Sequence, residues 1–100
     1  MGSFVQIIEY TSSRIDEIRI LGEKIEAERG GTDGGPQRVL VTEDRDKPGH
    51  YLTIVEFENY EKAMQNSENP ATQAFAASMA ELVDGPPTFI NLNVLDAFNT

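Results

Sequence analysis

A single histidine, three tyrosines and a few amides are the side chains of this 100-residue chain that could move a proton or hold an anion. His50 is the residue type suited to general-base work near neutral pH. It opens the run HYLTIVEF, so Tyr51 stands beside it as a hydrogen-bond donor. Asn91 could polarise a substrate oxygen, and His50, Tyr51 and Asn91 form the candidate catalytic set. Gln6, Tyr10, Tyr60 and Asn93 add polar groups for binding, and Phe57, Met64, Phe75 and Met79 add an apolar wall. Each has a plainer reading as well. A histidine after a Pro-Gly turn is commonly a surface residue, amides cross-link strands, and methionines fill cores.

Metal chemistry is not expected. The chain has no cysteine and no second histidine, and Glu56 lies about 20 Å along the strand from His50 at the usual rise per residue. Glu9 and Glu56 could act as paired carboxylates only if neighbouring strands brought them together; pairing with Arg38 or Arg14 is the simpler expectation.

The formal charge of −9 repels phosphate backbones, and the eight basic residues form no stripe, which argues against nucleic acid as a partner. No apolar run is long enough to span a membrane. The absence of cysteine and of a targeting signal in MGSFVQ leads to an expected cytoplasmic location.

The elements that must position these groups follow from periodicity. Phe4 to Tyr10 is read as a strand, with Ser12-Ser13 capping a helix that begins near Arg14 and carries Ile15, Ile18, Leu21, Gly22 and Ile25 at helical spacing. Gly22 is expected to mark close approach of another backbone. GGTDGGP at 30–36 ends the helix in a flexible connection; it lacks the Lys-Ser/Thr and the strand-glycine-helix order of a phosphate cradle. Gln37 to Thr42 and Tyr51 to Phe57 are strands joined by a loop with a Pro-Gly turn. Asn59 caps a short helix, Asn69-Pro70 breaks it and starts another, GPP at 85–87 ends that, and Thr88 to Asp96 alternates as the last strand. The order β-α-β-β-α-β predicts one α+β domain over 1–100, a ferredoxin-like four-stranded antiparallel sheet with the second helix broken at Pro70.

Strand parity divides the sheet. One face is aliphatic, with Val5, Ile7, Val39, Val41, Leu52, Ile54, Ile90, Leu92 and Val94. The other mixes Phe4, Gln6, Ile8, Tyr10, Arg38, Leu40, Thr42, Tyr51, Thr53, Val55, Phe57, Phe89, Asn91, Asn93 and Leu95. Helices cover one face only, so a second copy of the chain is expected to cover the other, giving a homodimer with a small-molecule ligand on the mixed face.

This element order, together with YLTIVEFENYEKAMQNSENPATQAF, resembles the antibiotic-biosynthesis monooxygenase (ABM-like) family of the dimeric α/β barrel superfamily. The resemblance implies a dimeric α/β barrel with the mixed face toward the helices and the aliphatic face toward the partner. It implies a cofactor-independent monooxygenase acting on a small aromatic or polyketide-like compound. A non-enzymatic binding protein and a cofactor-free isomerase or cyclase remain the alternatives. The chain has no tryptophan, often found in such sites. The Trp and His positions of the haem-degrading members fall approximately at Asn66 and Ala76, so haem degradation is not implied.

Overall fold

The computed structural model describes residues 3–29 and 35–98. The connection expected at 30–36 therefore lies largely outside the described residues. The elements run β1 (Phe4–Thr11), α1 (Ile15–Arg29), β2 (Arg38–Glu43), β3 (His50–Phe57), α2 (Tyr60–Glu68), α3 (Pro70–Ala80) and β4 (Thr88–Asn93). The strands form a four-stranded antiparallel sheet in the order β2-β3-β1-β4. This is the ferredoxin-like α+β arrangement expected from the sequence. Among the described residues no helix is long and apolar enough to cross a membrane.

The joints are held by specific polar contacts. Pro48 and Gly49 make a type II turn: Gly49 has φ 85°, and the His50 N–H donates to the Lys47 carbonyl at 3.1 Å. Buried Ser12 ties three elements together. Its N–H donates to the Gly49 carbonyl at 3.1 Å, its hydroxyl donates to the Leu82 carbonyl at 2.5 Å and accepts from the Arg14 N–H at 2.9 Å. Asn69 serves both halves of the broken helix. Its backbone N–H bonds the Asn66 carbonyl to close α2, and its side chain accepts from the Ala71 N–H at 2.8 Å to open α3, where Pro70 gives up no needed donor.

The core lies on the side of the sheet that faces the helices, in two clusters. Phe4, Val55, Phe57 and Ala63 are buried at one end, with Ile8 and Met64 packed against them. Tyr10, Ile18, Tyr51 and Met79 are buried at the other, with Ile8, Ile15, Leu21, Phe75, Leu82 and Val83 against them. On the opposite side of the sheet Val5, Ile7, Leu52 and Ile54 are only half-buried, and Ile90 and Leu92 are exposed.

Two expectations are corrected. The register pairs Arg38 with Glu56 and Val39 with Val55, so Val39 and Val41 share the helix-facing side while Arg38, Leu40 and Thr42 lie on the other. The run VLV is apolar on both parities and carries no sign of which way it faces; the register is set by pairing to β3, with an Arg38–Glu56 ion pair at 3.9 Å. The second correction concerns Gly22, where a built Cβ meets nothing within 4 Å, so no neighbouring backbone requires the glycine.

Two stability measurements follow. Gly22→Ala is expected to stabilise the fold by about 0.5–1 kcal/mol, since only the helix-propensity term changes, seen as a higher thermal midpoint. Asn69→Ala is expected to cost about 1 kcal/mol through the lost α3 cap, seen as a lower urea midpoint at unchanged m-value.

Candidate functional site on the helix-facing side of the sheet

Antiparallel register turns sequence parity into rungs that cross the sheet. On the helix-facing side, Asn93, Phe4 and Phe57 form the first rung. Asn91, Gln6, Val55 and Val39 form the second, and Phe89, Ile8, Thr53 and Val41 the third. Tyr10, Tyr51 and Glu43 form the fourth. The end rungs are sealed. Phe4 and Phe57 are each 3% exposed beneath α2, and Tyr10 and Tyr51 are 3% and 8% exposed beneath α1 and α3.

The middle rungs carry the polar groups. Gln6 Nε2 donates to Asn91 Oδ1 at 3.1 Å, which fixes the Asn91 amide and leaves its Nδ2 hydrogens for another acceptor. The Tyr10 hydroxyl reaches back over the third rung and shares a 2.9 Å hydrogen bond with the Thr53 hydroxyl. The sheet margins beside these rungs are open: Phe89 is 55% exposed, Val41 47%, and Asn91 and Asn93 are exposed. A ligand lying across the middle rungs would thus meet amides toward β4 and hydroxyls toward β3, between an aromatic floor at one end and a phenolic one at the other.

Burial raises both buried phenols above their ordinary range. For Tyr10 the hydrogen bond with Thr53 opposes that shift. For Tyr51 burial is reinforced by the charge of Glu43 and a hydrogen bond to it, and further by Tyr10 and Asp16. Both phenols therefore stay protonated at neutral pH and serve as neutral hydrogen-bonding groups. Their rings lie 5.8 Å apart at 32°, a tilted stack that fixes each against the other.

Most of the expected site residues come together. Gln6, Tyr10, Tyr51, Phe57, Asn91 and Asn93 share this side of the sheet; Met64 packs at the Phe57 end, and Phe75 and Met79 at the Tyr10 end. Tyr60 stands at the margin, 55% exposed, with its ring edge-on to Phe4 at 5.3 Å.

His50 is the exception. It belongs to β3 itself, one residue before Tyr51, so the two side chains point to opposite sides of the sheet. His50 Nε2 lies 3.5 Å from Glu9 Oε2 on the aliphatic side, and the pairing of His50 with Tyr51 over one ligand is corrected accordingly. Glu9 and Glu56 do not converge either, because Glu9 faces His50 and Glu56 faces Arg38. Two residues of the helix-facing side were missed as site members. Thr53 was legible from parity, whereas Glu43 was read as loop and enters the fourth rung only because β2 runs one residue further than its apolar pattern.

A separate groove of about 160 Å³ runs between α1 and α3, lined by Leu21, Lys24, Ile25, Ala71, Ala74, Phe75 and Ser78. Phe75 links it to the Tyr10 cluster. Among the described residues no three of His, Cys, Asp and Glu gather as a metal site would require.

No family model matches the sequence, and no curated protein is similar to it in sequence. The likeness lies in three dimensions. SnoaB, a cofactor-independent oxygenase from Streptomyces nogalater, superposes with a TM-score of 0.80 at 13% identity over 100% of both chains. A candidate antibiotic biosynthesis monooxygenase from Caulobacter crescentus gives 0.81 at 13% identity, over 95% of this chain and 92% of that one. One from Deinococcus radiodurans gives 0.74 at 19% identity over 97% of each. At such identities the fold is what is shared. The likeness first visible in residues 50–75 therefore extends to the whole architecture, and this chain is built as the antibiotic-biosynthesis monooxygenase-like proteins are.

Proposed function

We propose that the protein is a cofactor-independent monooxygenase of a small aromatic or polyketide-like compound bound across the middle rungs of the sheet. The observation that carries this reading is the placement of the Gln6–Asn91 and Tyr10–Thr53 hydrogen bonds between two apolar clusters. A flat aromatic with oxygens at its edge has the shape and polarity such a surface selects. The fold shared with SnoaB, itself a cofactor-independent oxygenase, supports the same reaction class.

In that reaction the substrate supplies the electrons. Loss of a proton gives a delocalised anion, the anion reacts with dioxygen, and a ring CH2 becomes C=O with release of water, so that one CH2 and one O2 yield one C=O and one H2O. The chain's part is to hold the anion. The Asn91 Nδ2 hydrogens, aimed by Gln6, are suited to the oxygen on which charge accumulates, and the neutral phenol of Tyr10 with Thr53 presents a second polar edge.

A homodimer completes the proposal. The aliphatic side, with Val5, Ile7, Leu52, Ile54, Ile90 and Leu92, has no cover from its own chain, and a second copy supplies an identical surface.

Two experiments test these statements. Oxygen uptake with an anthrone, followed with product identification, is expected for the parent, and Asn91→Ala is expected to lower kcat/KM by about 10²–10³-fold, the loss typical of one anion-stabilising donor. Absence of uptake with any anthrone or hydroquinone, alongside tight binding of one of them, would favour a binding protein. A loss confined to His50→Ala would place the chemistry on the other side of the sheet. Sedimentation is expected to show a dimer that Leu92→Arg converts to monomer, and a parent that sediments as a monomer would remove the dimer from the proposal.

A further inference from the structure

The groove between α1 and α3 takes no part in the proposed reaction, and it has a size and a charge of its own. Its floor is Leu21 and Phe75, which also pack against the buried cluster of Tyr10, Ile18, Tyr51 and Met79. The separation of the two helices is set within that cluster, where Ile18 of α1 and Met79 of α3 are both buried. Elsewhere along the contact α3 faces the gap with Ala71 and Ala74, whose side chains are too short to close it. The space left is about 160 Å³. A cavity of roughly 150 Å³ lined by Leu, Ile and Phe is enough to take a benzene ring, so this groove has room for one ring.

Its charge narrows the class of ring further. Among the described residues Lys24 is the one charged side chain lining the groove. The other described cations of this helix and its entry are committed, Arg14 to Glu17 at 2.5 Å and Arg19 to Asp16 at 3.8 Å, whereas Lys24 makes no ion pair with any described residue. Across the gap, α3 carries no charged residue from Pro70 to Ala80. A lysine stem covers apolar surface while its ammonium stays in water, which puts an uncommitted cation at the mouth of a one-ring slot. The exposed Ser78 hydroxyl adds a second donor. The net charge of −9 is spread over a molecule of 37 × 32 × 23 Å, and salt screens it beyond about 8 Å, so an anion at the groove responds first to Lys24.

We propose that this groove is a second small-molecule site, separate from the middle rungs of the sheet, and that it takes a single-ring aromatic carboxylate. The ring lies on Leu21 and Phe75, where aromatic contact with Phe75 adds to the burial of apolar area. The carboxylate meets the Lys24 ammonium and the Ser78 hydroxyl. Because Leu21 and Phe75 also touch the cluster that holds Tyr10, occupation of the groove is felt at that end of the sheet.

4-Fluorobenzoate tests the assignment by fluorine NMR, with 4-fluorobenzyl alcohol as the same ring without the charge. The parent is expected to bind both, the carboxylate about fivefold more tightly, the upper end for an exposed ion pair. Lys24→Met keeps an apolar stem and is expected to erase that difference. Ala74→Leu fills the gap from an exposed helix position, so it is expected to abolish binding of both probes at an unchanged thermal midpoint. Tyr10 ring-proton signals are expected to shift with 4-fluorobenzoate in the parent and to stay fixed in Ala74→Leu. Asn91→Ala is expected to bind both probes as the parent does, which separates the groove from the middle rungs. Equal affinity for the two probes in the parent, binding that survives Ala74→Leu, or binding lost in Asn91→Ala would overturn the assignment. So would a parent that binds neither probe while Ala74→Leu dissociates a dimer, since the groove would then hold a side chain of a second copy, such as the exposed Phe98. Oxygen uptake is read in none of these arms, so failure of the oxygenase reading and failure of this one are told apart.

Discussion

The pairing of β1 with β3 is the constraint on which the rest of this molecule depends. Phe4 against Phe57 and Tyr10 against Tyr51 place aromatic pairs at both ends of the central ladder and on the same side of it. A slip of β1 by one residue would move Phe4 and Tyr10 to the other side, exchanging them for Val5 and Ile7 and leaving Phe57 and Tyr51 unpaired by aromatics. The helices settle on the side that carries these rings and leave the aliphatic side uncovered. Ala63 of α2 packs at one end of this ladder, and Ile18 of α1 and Met79 of α3 at the other, so the register of two strands decides where all three helices lie.

What the helices leave between their attachment points is the chemically interesting part. A core filled from end to end would have no use for amides and hydroxyls at its middle, where a polar group must find partners or lose free energy. Here they find each other: Gln6 with Asn91, Tyr10 with Thr53, and no buried side-chain nitrogen or oxygen among the described residues lacks a partner. The surface is therefore stable without a ligand and still offers donors and acceptors to one.

Much of this was legible in the sequence, and the failures have physical causes. Element order followed from caps and breakers, because Asn59, Asn69-Pro70 and Pro48-Gly49 act within a few residues of themselves. The division into two sides was legible on β1, β3 and β4, where polar and aliphatic residues alternate, and the family resemblance implied which side meets the helices. On β2 it was not, since Val39, Leu40 and Val41 satisfy either orientation and only pairing to β3 decides. His50 was placed beside Tyr51 because strand extent is set by hydrogen bonding across the turn, which the local sequence does not display. Extending β3 by one residue converts neighbours along the chain into residues separated by the thickness of the sheet.

The shared cap at Asn69 carries a consequence for motion. Neither α2, at nine residues, nor α3, at 11, is long enough to persist on its own in water, so each holds its shape by what it packs against. They pack against different ends of the sheet, Ala63 in one cluster and Met79 in the other. A continuous helix would have to lift as a rod, disturbing both clusters together. With the rod cut at Asn69, each segment is seated on its own cluster, so a displacement of one leaves the contacts of the other in place.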